Sequence, residues 1–339
     1  MSLANITLRQ ERQLNPVADE VLALVALVRP IILGILYALK RDIVDEAGGH
    51  QNISLQMLSR LYNRGDGDCG ICFEWAVHDA IKRGDTRVVE RVSDAMKLCR
   101  VPGSSVHSIL FGAEKSGALN LIDTATDTLT DDSRVLTGIQ AQPPFLKRRI
   151  KTIAAAFSNP RTRVALPWSI SGLWKADLFV GCTDSARWVG TTVKNNADRL
   201  EAARGLRIGI VPAQLGKTDR VRRDDMRNMV VCPLLYDGDF MQIFYEGWQI
   251  VQALMTSKLA MPSEAAIPRP ASRQVASMLV ERAKYPAVAV VEALDSFAQP
   301  ELLHTDQTSV SLEPLTSGKG PQAANLLVTP VSRNIAPAR

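Results

Sequence analysis

The sequence predicts an α/β protein: a mixed sheet flanked by helices, with a helical elaboration on its N-terminal side. Three observations lead there. Apolar residues in the first part of the chain recur at helical spacing. From Arg163 the pattern changes to short apolar runs separated by turn residues and then helices, which is the signature of a sheet with helical cover. The 339 residues are 46% hydrophobic and 22% charged, an ordinary balance for a chain that buries a core.

The elements follow in order. Asn15-Pro16 reads as a helix cap and first turn. A helix is expected from there to about Asp45, bending at Pro30 and ending before Gly48-Gly49. The run Val21 to Leu39 is interrupted by Arg29-Pro30, so it is expected to be too short and too broken to cross a bilayer, and instead to be buried. A short helix is expected over Ile53 to Leu61. A turn at Asn63 to Asp68 comes next, then a helix to about Lys82 carrying Ile71, Trp75 and Ile81. Residues 85–160 read as further helix with loops. Strands are expected at Arg163–Pro167, Ala176–Gly181, Trp188–Lys194, Leu206–Pro212 and Met229–Leu235, with helices at Ala197–Arg204 and Asp239–Leu259. One more helix is expected at Gln274 to Lys284. Half of the 18 prolines lie beyond Met261, and after Gln299 the composition reads as a flexible tail. The organisation is thus 1–62 helical, 63–260 α/β with a helical insertion, and 261–339 proline-rich.

Five cysteines, Cys69, Cys72, Cys99, Cys182 and Cys232, are too few and too unevenly placed for a disulfide framework. With the polar start Ser2 to Asn15 and no secretory signal, reduced thiols and a cytoplasmic location are expected.

The chemistry concentrates between Lys175 and Asn196. Lys175-Ala176-Asp177-Leu178-Phe179-Val180-Gly181 and Trp188-Val189-Gly190-Thr191-Thr192-Val193-Lys194 read as two strands joined by a polar turn. Antiparallel pairing sets Asp177 level with residues 192–194, and Thr192 and Lys194, two apart, share a face. A carboxylate, a hydroxyl and an ammonium would meet at one sheet end. An aspartate opening an apolar strand needs such partners, because a buried lone carboxylate is costly. A structural Asp–Lys pair across a hairpin is the plain alternative.

This arrangement resembles the core of the PD-(D/E)xK, or restriction-endonuclease-like, nuclease superfamily. Asp177 and Lys194 match the first and last positions of that pattern, and Glu74 in Cys72-Phe73-Glu74-Trp75 resembles its helix glutamate. Thr192 stands where the second acidic residue belongs. The resemblance implies a restriction-endonuclease-like sheet and a nuclease that hydrolyses phosphodiester bonds in DNA, or RNA. Its catalytic residues would be Glu74, Asp177, Thr192 and Lys194. Mg²⁺ or Mn²⁺ would be held by Glu74 and Asp177, since Mg²⁺ takes oxygen donors and usually one or two carboxylates. Lys194 would orient water or offset transition-state charge. Thr192, a weaker ligand than a carboxylate, keeps open an inactive nuclease-like protein that binds nucleic acid or assembles with a partner.

Charge placement favours a polyanion over an even +5 surface. No Asp or Glu occurs from Arg134 to Ala176, where Lys147, Arg148, Arg149, Lys151 and Lys175 are found. A second group holds Arg220, Arg222 and Arg223, diluted by Asp224 and Asp225. These cations are expected on phosphates, of DNA in preference to RNA. No membrane partner is expected, and a second copy or another protein is left open.

Two other readings come from cysteine. Gly65-Asp66-Gly67-Asp68-Cys69 entering a helix resembles the nucleophile turn of ovarian-tumour-type cysteine proteases, with His50, His78, His107 and His304 as the available bases. Cys69 and Cys72 lack a second closely spaced pair for zinc, so buried thiols are expected instead. Trp168, Trp174 and Trp188 flank the expected strands, as core or as surfaces on which bases stack.

Overall fold

A computed structural model describes residues 4–8, 18–63, 68–115, 125, 127–140, 142–214, 219–236, 240–263, 265–298 and 308–312. The chain falls into two units, residues 15–302 and a second formed from both ends. In the second, β1 (Ala4–Leu8) pairs antiparallel with a strand at Thr308–Leu312, Ala4 opposite Leu312. That strand lies within the segment expected to be a flexible tail.

The larger unit opens with α1 (Asp19–Tyr37), which runs unbroken through Pro30. It stops where the apolar run gives way to Lys40-Arg41; Lys40 is extended, and α2 (Arg41–Glu46) starts afresh. The single helix expected to Asp45 is therefore two, and Asn15 and Pro16 lie outside the described residues. By length and composition α1 is long and apolar enough to cross a membrane, contrary to the expectation that it is too short, but 67% of that stretch is buried inside the fold. Its Arg29 is tied to Asp295 at 2.8 Å, which explains a guanidinium in an apolar helix.

Next come α3 (Leu55–Leu61), capped by the Ser54 hydroxyl accepting from the Met57 amide, α4 (Asp68–Arg83) and α5 (Thr86–Leu98). The region expected to be helix with loops then yields β2 (Val106–Leu110), a one-turn α6 (Gly112–Lys115) and β3 (Arg134–Val135) before α7 (Leu146–Ser158). Two strands were hidden there because they are short and show no clean alternation.

The strand expected at Arg163–Pro167 is instead helical, α8 (Pro160–Ala165). The Asn159 side chain accepts from the Arg161 amide at 3.0 Å and Pro160 supplies the pre-set first turn, so local capping outweighs β propensity. The hairpin is as read: β4 (Leu178–Cys182) and β5 (Arg187–Val193). The helix expected at Ala197–Arg204 is only a 3₁₀ turn, Ala197–Arg199, because Gly205, at φ 94°, turns the chain into β6 (Leu206–Pro212). Then follow β7 (Arg222–Asp224), β8 (Met229–Leu234), α9 (Phe240–Thr256), α10 (Pro270–Glu281) and an unforeseen α11 (Ala287–Ala298).

The larger unit's sheet is mixed and has seven strands, in the order β2-β4-β5-β6-β8-β7. β2, β4 and β5 are antiparallel neighbours; β6 is parallel to β5, and β8 to β6. The short β3 pairs parallel with Arg187 and Trp188, beside the first half of β5, while β6 takes Gly190 to Val193. Alternation divides the side chains between two cores. Leu178, Val180, Val189, Ile208 and Val230 join α1, α4 and α9 in one. Phe179, Trp188 and Leu206 join α7 in the other. The sheet is thus covered on both faces, and polar side chains gather at the end where β4 begins and β5 finishes.

Candidate functional site

Asp177 precedes β4, and its backbone is fixed from two sides. Its amide donates to the Thr191 carbonyl at 2.9 Å, and its carbonyl accepts from Phe111 and Gly112 at 2.9 and 2.8 Å. Its side chain is only 6% exposed. Its Oδ2 accepts from Thr192 Oγ1 at 2.9 Å, from the Val193 amide at 2.9 Å and from Lys194 Nζ at 2.6 Å. Its Oδ1 accepts from Lys115 Nζ at 3.3 Å. Burial alone would raise the Asp177 pKa; Lys115 and Lys194, with the bonds from Lys194 and Val193, hold it below the usual range instead.

Glu74 comes from the other side, on α4, with a carboxylate oxygen 3.7 Å from Lys194 Nζ. Burial, then the charge on Asp177, pushes its pKa up to about 8 despite the two lysines. Burial also acts against the ammonium of Lys194, but the charges of Asp177 and Glu74 hold its pKa above the usual value. Near neutrality the cluster therefore has two ammoniums against one carboxylate and one carboxylic acid. A β-carbon on Gly112 would collide with Glu74 Oε2, so that turn must be glycine for the carboxyl to sit where it does.

These groups open into a cleft of about 820 Å³, whose lining also includes Phe157, Trp174, Lys175, Asp198 and Glu201. The structure thus gathers Glu74, Asp177, Thr192 and Lys194 as one group. Thr192 is 3% exposed and donates its hydroxyl to Asp177, so it orients the aspartate. Lys115 was missed: it follows a strand that the sequence conceals, and a lysine after Gly-Ala-Glu carries no spacing signal. It is 9% exposed on its side chain, with its ammonium 5.9 Å from the Phe111 ring centre and 5.6 Å from that of Phe157.

The expected phosphate-contacting cations divide. Lys175 lines the cleft but is held by Glu201 at 2.6 Å. Arg148, Arg149 and Lys151 are exposed on α7. Lys147 pairs with Asp131 at 3.3 Å, and Arg148 stacks on Phe145 with the guanidinium 4.5 Å from the ring centre. Lys147 is about 15 Å along the helix from Phe157 at the cleft. Arg222 and Arg223 lie on β7, with β8 and β6 between them and β5, and Arg220 just precedes that strand. Arg223 donates to the Leu98 carbonyl at 2.9 Å.

The cysteine readings gain no geometry. Cys69 and His78 lie on the same helix, and His78 bonds Ser108 at 2.7 Å; burial and then Lys82 lower its pKa to about 4. His304 is outside the described residues. Cys72, Cys99, Cys182 and Cys232 are buried and form no disulfide.

Two carboxyl groups and the water of an open cleft are oxygen donors of the kind a hard divalent cation takes. A buried acid that ionises only near pH 8 is a group whose charge such an ion would stabilise. On that ground Glu74 and Asp177 fit Mg²⁺ or Mn²⁺. Among the described residues no group of three or more His, Cys, Asp or Glu converges, so most of the ion's shell would be water or phosphate oxygen. No protein-family model, curated protein or solved structure matches the chain.

Proposed function

We propose that the protein is a metal-dependent nuclease of the restriction-endonuclease-like type, acting at the cleft where Glu74, Asp177 and Lys194 meet. The observation that carries this reading is the convergence of those three side chains at one sheet end, from α4, the residue before β4 and the residue after β5. The strand order supports it: a helix carrying the glutamate, an antiparallel trio β2-β4-β5, and β6 returning parallel to β5.

Glu74 and Asp177 would hold a Mg²⁺ or Mn²⁺ ion, which would supply Lewis acidity toward the phosphate and the attacking water. The chain's own residues do the rest. Thr192 and the Val193 amide fix the Asp177 carboxylate in one orientation. Lys194, 31% exposed, keeps its ammonium at the cleft, where it meets charge growing on the phosphate. Lys115 balances Asp177 from the opposite oxygen. Without a metal, Glu74 is protonated near neutrality and the surplus ammonium favours an incoming phosphate; holding an ion would require Glu74 to ionise.

A second reading has its own observation. Both Asp177 oxygens are already bonded to ammoniums, which suits a phosphate-binding scaffold that does not cut. Incubating the full chain with circular single-stranded DNA, duplex DNA and RNA, in Mg²⁺, Mn²⁺ or EDTA, separates the two. Cleavage dependent on metal and lost in Lys194→Met supports the enzyme. Binding without cleavage of any substrate in either metal overturns it in favour of the scaffold.

A further inference from the structure

We infer that the aromatic wall beside the cleft receives unstacked bases, so that the substrate class is single-stranded nucleic acid; this rests on the nucleic-acid reading of the same site. The wall is built from two packed segments, 168–175 and 199–205. They are joined by the Gly172 amide donating to the Arg204 carbonyl at 3.0 Å. Ile170 and Leu173 are fully buried and anchor the first segment; Trp168 is left outside the core, while Trp174 packs one side against it and turns the rest to the cleft. Trp168 is 59% exposed, and Trp174 is half-buried and lines the cleft. Phe157, 41% exposed, lines the same cleft with its ring centre 6.4 Å from that of Trp174.

Each indole already carries a cation. The Arg163 guanidinium lies 4.0 Å from the centre of the Trp174 ring, and that of Arg204 lies 4.4 Å from Trp168. Arg163 is pinned there by the Ala156 and Phe157 carbonyls at the end of α7. Among the described residues, no carboxylate pairs with Arg163 or Arg204, so both keep a charge for a phosphate. Lys175, by contrast, is spent on Glu201.

Solvent-accessible indoles, one exposed and one half-buried, with guanidiniums on their faces serve a chain that offers flat π surfaces and a polyanionic backbone together. A single strand offers both, and stacking on such rings does not depend on sequence. A paired duplex keeps its base faces stacked inside and presents only phosphates and groove edges, which tryptophan rings do not use. The placement also serves the chemistry: the segment that carries Trp168 and Trp174 runs directly into Asp177. A base held on Trp174 would set the adjoining phosphate near the carboxylate.

Fluorescence anisotropy of the full chain in EDTA tests this without cleavage. The probes are fluorescein-labelled oligothymidylate, oligouridylate and a blunt duplex, with heparin as a polyanion that lacks bases. Single strands should bind about tenfold tighter than duplex and quench tryptophan emission, as base–aromatic stacking requires. Trp168→Ala and Trp174→Ala should each weaken single-strand binding about fivefold or more, with duplex and heparin binding unchanged and the phenylalanine variants largely restored. Trp168 is so exposed that its variant keeps the fold, which preserves the test even if Trp174→Ala unfolds. Equal affinity for strand and duplex, or tryptophan variants that bind single strands like wild type, would overturn the inference. Parallel loss on heparin would also overturn it, since that reports a purely electrostatic face. Metal-dependent duplex cutting without single-strand preference sinks this inference and leaves the nuclease reading standing.

Discussion

Replacing Glu74 by glutamine keeps the shape of the protonated acid and removes its ionisation. In the folded protein, burial and then the charge on Asp177 raise the Glu74 pKa from 4.5 to about 8. The unfolded chain returns it to its ordinary value. Between those two values the native state holds a proton that the unfolded state has released. Stability is therefore fully present below the unfolded pKa, falls as pH rises through the window, and levels off above about 8. At about 1.4 kcal/mol per pKa unit, the loss across the window is roughly 5 kcal/mol. Asp177 acts with the opposite sign: its pKa is lowered, so its contribution disappears only in acid, below the Glu74 window. Urea unfolding in EDTA across a pH series should show wild type and Glu74→Gln nearly equal at the acid end of the window. Toward about pH 9 the variant should be the more stable by several kcal/mol. Parallel pH profiles, or a variant that is weaker at alkaline pH, would refute the placement of Glu74 in a dry pocket beside Asp177.

Gly112→Ala should displace only the flexible end of Glu74, so the melting curve stays within about 1 kcal/mol of wild type while metal-dependent cleavage falls about tenfold or more. Asp177→Ala should cost about 3–5 kcal/mol in chemical unfolding as well as activity, because it strands the buried Lys115 ammonium and leaves Lys194 only the more distant Glu74. A carboxylate in an open cleft would have been removable without that cost. Replacing Lys147, Arg148, Arg149 and Lys151 together by Ala should flatten the log–log salt dependence of strand binding by about 0.7 per lost phosphate contact. Because Lys147 is engaged by Asp131, the change should fall short of four contacts; an unchanged slope in an anisotropy salt series would show that α7 does not meet the strand.

The hairpin was legible because its signal is local. Two apolar runs with a polar turn fix a register, and the register alone sets Asp177 beside Thr192 and Lys194; the paired residues Leu178 and Thr191 agree. Long helices such as α9 were legible for the same reason. The edge of the sheet was not. β2 joins only through β4, and its burial, partial at Val106 and absent at His107, gives no period-two pattern. α8 shows the converse error: Arg-Val-Ala-Leu has strand-like composition, but one asparagine cap and one proline decide it.

The site itself was legible from local pattern only around the hairpin, and at Glu74 only through the family resemblance. Asp177 and Lys194 follow from pairing, whereas Glu74 and Lys115 arrive by tertiary packing, from a helix about a hundred residues upstream and from a single turn after an unread strand. Yet the sequence posed the question that Lys115 answers. A carboxylate this deeply buried with Lys194 alone would balance only one of the two acidic groups in the cluster. Lys115 supplies the second positive charge, and Glu74 keeps its proton to about pH 8, so two carboxyl groups share the pocket with only one of them charged near neutrality. The same balance makes the pocket responsive. A phosphate entering would meet the ammoniums, and a divalent cation would favour ionised Glu74, each relieving a cost that the folded protein now bears through a displaced pKa. Threonine at 192 is consistent with that economy: its hydroxyl donates a hydrogen bond to Asp177 Oδ2, whereas an ionised carboxylate on that face could only accept and would set a second negative charge against Asp177.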